Sequence, residues 1–192
     1  HGVSGEPLCS CLFSVDRLDC ETEEISLSAI AHTLPKGVES DLPYRVLDLS
    51  GAVEKGFVVT GRGVIQRNEC TNNGLLLPHN YMARTSDSMP NLWTHLAGDQ
   101  RVSDAEGGAV VEFRRQYHES LCANQAFTVV SGLLSAQGKI QRFGHMLFNA
   151  GTRVCCASAQ VIAVRIDLNA RKAIALSDED LVTLLQKQVQ PL

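Results

Sequence analysis

From residue 57 onward the apolar positions fall into regular runs whose period changes along the chain. Residues 57–67 are rich in Val and Ile and read as a strand. Gly61 and Gly63 inside it mark a bulge or a close approach of backbone. Asn72-Asn73-Gly74 then supplies a turn, and three leucines run into Pro78. Met82, Thr85, Ser86, Met89, Leu92, Trp93 and Leu96 follow at intervals of three and four, which puts them on one helical face. A helix is expected over 78–97, about 30 Å at ~1.5 Å per residue. Pro90 should kink or restart it near Ser88, and Gly98 is placed to cap its end.

The period then shortens. Residues 109–118, 126–135, 139–149 and 154–167 read as long strands, broken at Ala123-Asn124, Gln137-Gly138 and Ala150-Gly151. Strands in unbroken succession predict antiparallel meanders rather than strand-helix-strand units. Ser177-Asp178-Glu179-Asp180 resembles a capping box, ahead of Leu181, Leu184, Leu185 and Val189 on one helical face. The expected fold class is α+β, with one long central helix wrapped by a curved antiparallel sheet. Such a sheet leaves an edge open, which predicts pairing with another copy.

Composition narrows the function classes. The chain has 192 residues, 17 Lys and Arg against 21 Asp and Glu, and a net charge of −4. The basic residues are scattered, so no nucleic-acid surface is expected. No apolar run reaches the roughly 18 residues of a membrane span. Seven Cys without framework spacing suit reduced thiols and a cytoplasmic location. Cys9-x-Cys11 lacks a matching second pair, so neither a metal nor another cofactor is expected. The chain begins at His1 rather than Met, as a processed chain or a fragment would.

Three segments together resemble the hotdog-fold thioesterase-like superfamily, of the 4-hydroxybenzoyl-CoA and acyl-CoA thioesterase type. They are Gly74-Leu75-Leu76-Leu77-Pro78-His79-Asn80-Tyr81, Glu112 to Tyr117 with Leu121, and Gly144 to Asn149 with the strand that follows. The resemblance covers about 55–177 and places a hotdog domain at 46–192. Residues 1–45 form an N-terminal extension. Gly5-Glu6-Pro7-Leu8-Cys9 begins like Gly151-Thr152-Arg153-Val154-Cys155, as the tail of a preceding hotdog repeat would, although any final strand and tail share this pattern.

The resemblance implies hydrolysis of acyl-CoA or acyl-carrier-protein thioesters, a role in lipid metabolism, and a homodimer or higher oligomer. It also implies amide donors at the helix start that polarise the thioester carbonyl, here from Gly74, Leu75 and Leu76. A carboxylate then acts as base or nucleophile. Where one group of the family carries Asp-x-x-Gly, this chain has Thr71-Asn72-Asn73-Gly74, and a threonine hydroxyl is no base near neutral pH. Glu69, two residues upstream, either reaches in or sits solvated at the strand end. Where the other group places a carboxylate on the helix, this chain has Ser86 and Asp87. Asp87 reads as a buried general base or as an exposed partner of Arg84. His79 either assists at the helix mouth or caps it, and Asn72, Asn73 and Asn80 either orient substrate or serve the turn. His118 and His145 read as satisfied sheet residues, and Cys70 as an unactivated thiol. The alternative is a non-catalytic acyl-binding or dimer-stabilising hotdog half that has lost the loop Asp; a hotdog dehydratase ranks third.

Overall fold

The computed structural model describes residues 47–97 and 105–190. Along the chain these form α1 (Leu49–Glu54), β1 (Val58–Val64), a 3-10 turn (Arg67–Glu69), α2 (Pro78–Ala97), β2 (Glu106–Tyr117) and β3 (Ala126–Gln137). They continue with β4 (Ile140–Asn149), β5 (Cys155–Asp167), β6 (Lys172–Ile174) and α3 (Asp178–Gln186). The sheet is antiparallel in the order β1-β3-β4-β5-β2, and β6 pairs with the end of β5. The strand that follows the helix is thus carried to the far edge, and the helix crosses in front of the strands between. This is the expected α+β arrangement. The readings made on residues 1–45 and on Gly98 lie outside the described residues.

Residues Tyr81, Thr85, Ser88, Leu92 and Leu96 form the buried face of α2. Met82 and Ser86, expected on that face, are exposed, and Tyr81 and Ser88 replace them. The cause is a hydrogen-bonded anchor: Ser88 and Thr85 meet polar groups of the sheet, and this fixes how the helix is rotated. Nor does Pro90 restart the helix, which runs on to Ala97. The carbonyl that loses its donor is that of Ser86, on the exposed side of the helix, where its loss costs least.

Strand alternation gives the sheet two apolar faces. On the helix side, Leu92, Leu96, Leu133, Phe143, Val161 and Ala163 pack together with Leu184 of α3, while Ile65, Tyr81, Val129 and Leu147 form a second cluster nearer the helix start. On the opposite face Phe57, Val130, Met146, Phe148 and Val189 are closed over by Ala52 of α1. Two local expectations carry through. Ser177 caps α3 by accepting from Asp180 N at 3.1 Å, and the register of β1 slips between Val59 and Gly61.

Gly132 is where the C-terminal segment presses on the sheet. Val189 N donates to Leu133 O at 2.9 Å, and a Cβ on Gly132 would run into the Val189 side chain. Gly132→Ala is expected to destabilise the protein by about 1–3 kcal/mol through overpacking. Urea unfolding reads this; an unchanged midpoint would mean that residues 188–190 are not held against β3.

Candidate functional site

The chain between β1 and α2 folds on itself before the helix begins. Glu69 ends the 3-10 turn, and its Oε2 accepts from Gln66 N at 2.7 Å. Cys70 then bridges to Leu76 as the base of a minute hairpin. Within it Thr71 N donates to Leu75 O at 2.8 Å, and Gly74 N to Thr71 O at 2.9 Å. Gly74 closes the turn at φ +83°, a conformation open to glycine and strained for other residues. Arg67 Nη2 also donates to Asn72 O at 2.8 Å. Turn chemistry therefore accounts for Thr71-Asn72-Asn73-Gly74.

This geometry corrects the expected donors. The Gly74 amide is taken by Thr71 O, Leu75 N goes to Thr71 Oγ1 at 3.2 Å, and Leu76 N goes to Leu121 O at 2.8 Å. Leu77 N is likewise bonded to Glu69 O at 3.0 Å. A hairpin this short uses its own amides to close. The first-turn amides of a helix lack intrahelical acceptors, and here Asn80 N turns back to Leu77 O at 2.9 Å. Pro78 has no N–H, which leaves the His79 amide as the donor at the helix front. The Asn80 side chain is used in anchoring, donating from Nδ2 to Glu69 O at 2.7 Å.

The two candidate carboxylates meet at one guanidinium. Arg84 Nη2 lies 3.0 Å from Glu69 Oε1 and 3.2 Å from Asp87 Oδ2. Their surroundings differ: the Glu69 side chain is 11% exposed and that of Asp87 64%. Glu69 is therefore neither solvated nor pointed at the helix mouth, since both its oxygens are held. Asp87 sits in the open beside Arg84, not in the buried setting expected of it. Its flank of the helix faces β1, as Asn91 Nδ2 shows by donating to Thr60 O at 2.6 Å. The opposite flank faces β2, where Trp93 meets Phe143 edge-on at 5.3 Å and borders Gly108. Ser86 and Met82 lie exposed towards that side.

Beneath the helix runs a polar row that sequence reading did not assemble. The strand register sets Arg115, Ala159, His145 and Ser131 side by side across β2, β5, β4 and β3. Ser88 Oγ donates to Thr85 O at 2.7 Å, and Thr60 Oγ1 donates to Ser88 Oγ at 3.2 Å. Each hydroxyl has one proton, so Ser131 donates to Thr60 at 2.9 Å and His145 Nδ1 donates to Ser131 at 2.8 Å. The chain of donors thus fixes His145 as the neutral Nδ1–H tautomer. Burial, reinforced by the nearby Arg115 charge, pulls its pKa down to about 3. His118 is satisfied on the sheet as expected, with Nε2 2.8 Å from Ser158 Oγ. The overlooked signal was small polar residues at inward positions of several successive elements.

Among the described residues no group of His, Cys, Asp and Glu is arranged to hold a metal, and no helix is long and apolar enough to cross a membrane. No protein-family model and no curated protein sequence matches the chain. Solved structures do resemble it. The protein SAV2348 of Staphylococcus aureus, determined in complex with CoA, superposes with a TM-score of 0.60 at 15% identity, over 71% of this chain and 88% of that one. YbaW of Escherichia coli, named a probable thioesterase, gives 0.58 at 18% identity over 69% and 100%. Slr0204, a 1,4-dihydroxy-2-naphthoyl-CoA thioesterase from Synechocystis, gives 0.55 at 12% over 66% and 95%. At such identities the likeness is one of architecture: the chain has the hotdog fold.

Proposed function

We propose that this protein is a thioesterase-like hotdog protein that receives acyl thioesters, acyl-CoA first among them, at the front of α2. The observation that carries this is the His79 amide, left as a donor at the mouth while its neighbours are engaged. There it polarises the thioester carbonyl. The side chain of His79, the exposed Leu75 and the Asn72-Asn73 tip border the mouth. Two copies pair along the open edge of β2, whose Val110 and Val111 are exposed.

In the hydrolytic form Asp87 takes a proton from water as its oxygen attacks the carbonyl carbon. The carbon–sulfur bond then breaks, the sulfur takes the proton that Asp87 accepted and leaves as the thiol, and the acyl group remains as the carboxylic acid. Arg84 and Glu69 hold Asp87 in place. Asp87 lies about 12 Å along the helix from His79 at ~1.5 Å per residue, so the hydrolytic form requires a second copy to bring its thioester to the β1 flank. The second reading is binding without hydrolysis, and it is favoured by the place of Asp87 on the β1 flank, away from the open β2 edge.

Purified protein is expected to release free thiol from acyl-CoA, and Asp87→Asn is expected to lower that release at least tenfold with acyl-CoA affinity unchanged. Affinity without thiol release would establish the binding form. Neither affinity nor release, for acyl-CoA or for acyl-carrier protein, would overturn both.

A further inference from the structure

Arg115 is the one member of the polar row that carries a charge, and among the described residues no carboxylate answers it. Its Nη2 donates to Thr85 Oγ1 at 3.0 Å, while its Nε is buried with no acceptor. The guanidinium lies 5.0 Å from the centre of the Phe113 ring, which holds the head flat. Beyond it, Tyr117 meets Tyr81 edge-on at 5.2 Å and donates from its hydroxyl to Pro78 O at 3.3 Å. Burial pulls the Arg115 pKa down to about 10, still a cation at neutral pH. A cation withdrawn from water without a counter-charge is held at a considerable desolvation cost, which an anion seated against it offsets.

The position says which anion. Arg115, Phe113 and Tyr117 alternate onto the helix side of β2, beneath the flank where Met82 and Ser86 lie exposed. Thr85, which orients the guanidinium, is about 9 Å along the helix from His79 at ~1.5 Å per residue. An acyl group whose thioester sits at His79 and whose tail follows that flank brings its far end to Arg115. A planar guanidinium with a free Nε suits a carboxylate.

We propose that Arg115 is the receptor for a carboxylate at the far end of the acyl group, so that this protein takes dicarboxylic acyl thioesters in preference to plain fatty acyl ones. The inference rests on the acyl-thioester reading of the helix front. Met82, Phe113 and Tyr117 offer the methylene chain apolar contact on this flank, and Arg115 supplies the discrimination, because only a tail ending in an anion compensates its charge.

Isothermal titration of the full chain with suberoyl-CoA, octanoyl-CoA and free octanoate tests this. The wild-type protein is expected to bind suberoyl-CoA roughly ten- to hundredfold tighter than octanoyl-CoA, the range of one charge-assisted contact. It is also expected to bind octanoate measurably. Arg115→Met keeps the aliphatic bulk; it should erase the preference and the octanoate signal, leave octanoyl-CoA binding in place, and hold or raise the melting temperature without ligand. Equal affinity for the two esters, or a preference that survives Arg115→Met, overturns the inference. So does a dimer that falls apart in Arg115→Met, since the guanidinium would then belong to a carboxylate of the second copy. If neither ester binds but octanoate does so through Arg115, the carboxylate site stands and the thioester reading falls.

Discussion

Phe143→Ala is expected to lower the unfolding free energy by about 3–5 kcal/mol, the range for deleting a fully buried phenyl ring. Phe143 has no exposed surface and stands where three elements meet. It belongs to one buried cluster with Leu92 and Leu96 of α2, Leu133 and Val161 of the neighbouring strands, and Leu184 of α3. Its ring also receives the edge of Trp93. The site collapses poorly after truncation, because the helix is pinned on its other side by the Ser88–Thr60 contact and the strands are fixed by their ladders. Urea unfolding followed by circular dichroism measures the loss. Val182→Ala, on the exposed side of α3, is the control and should change stability by no more than about 0.5 kcal/mol. A Phe143→Ala loss as small as the control's would contradict the packing described here.

The second large effect is acid lability beginning near neutrality. His145 is neutral in the folded protein, with a pKa near 3 against 6.5 when unfolded. The sign follows from proton counting. Between those values the unfolded chain binds a proton that the folded chain refuses, so stability is full above about pH 6.5 and declines as pH falls towards 3. Each pH unit within that window shifts the folding equilibrium by up to about tenfold. Asp180, whose pKa is lowered against desolvation by hydrogen bonds from Arg165 and Ser177, adds its share only below its ordinary value of 3.8. The interval from pH 6 to 4.5 therefore excludes that carboxylate and leaves the histidines: His145, and His118, whose pKa burial also lowers. Unfolding free energies measured there should fall with decreasing pH in the native protein and fall less steeply in His145→Gln, which keeps only the His118 contribution. Parallel slopes in the two proteins would show that the imidazole is not the group responsible.

Much of the architecture was legible because it is written in short-range pattern. The 78–97 helix and the succession of strands follow from hydrophobic period and turn residues, both of which act over a few positions. The C-terminal helix was legible for the same reason, through Ser177 and the acidic residues after it. The site was less so. Glu69, read as solvated or reaching in, became a buried anchor, because the 3-10 turn brings it under Arg84, fifteen positions later. The amides of Gly74, Leu75 and Leu76 read as donors from their place before the helix, but hairpin closure and the contact with Leu121 consume them.

Sequence alone determined the long helix, the five long strands, the C-terminal helix, their order and the turn at Asn72-Asn73-Gly74, since local propensity and periodicity decide these; the short α1, the 3-10 turn and β6 came from the structure. Tertiary structure decided the rotation of the helix, the exposure of Asp87 and the alignment of Arg115 with His145 and Ser131. Each of those depends on strand register and on hydrogen bonds between residues far apart in the chain, as between Thr60 and Ser131 or Thr85 and Arg115. A register shift of one residue would turn Arg115 to the opposite face without changing a single local preference.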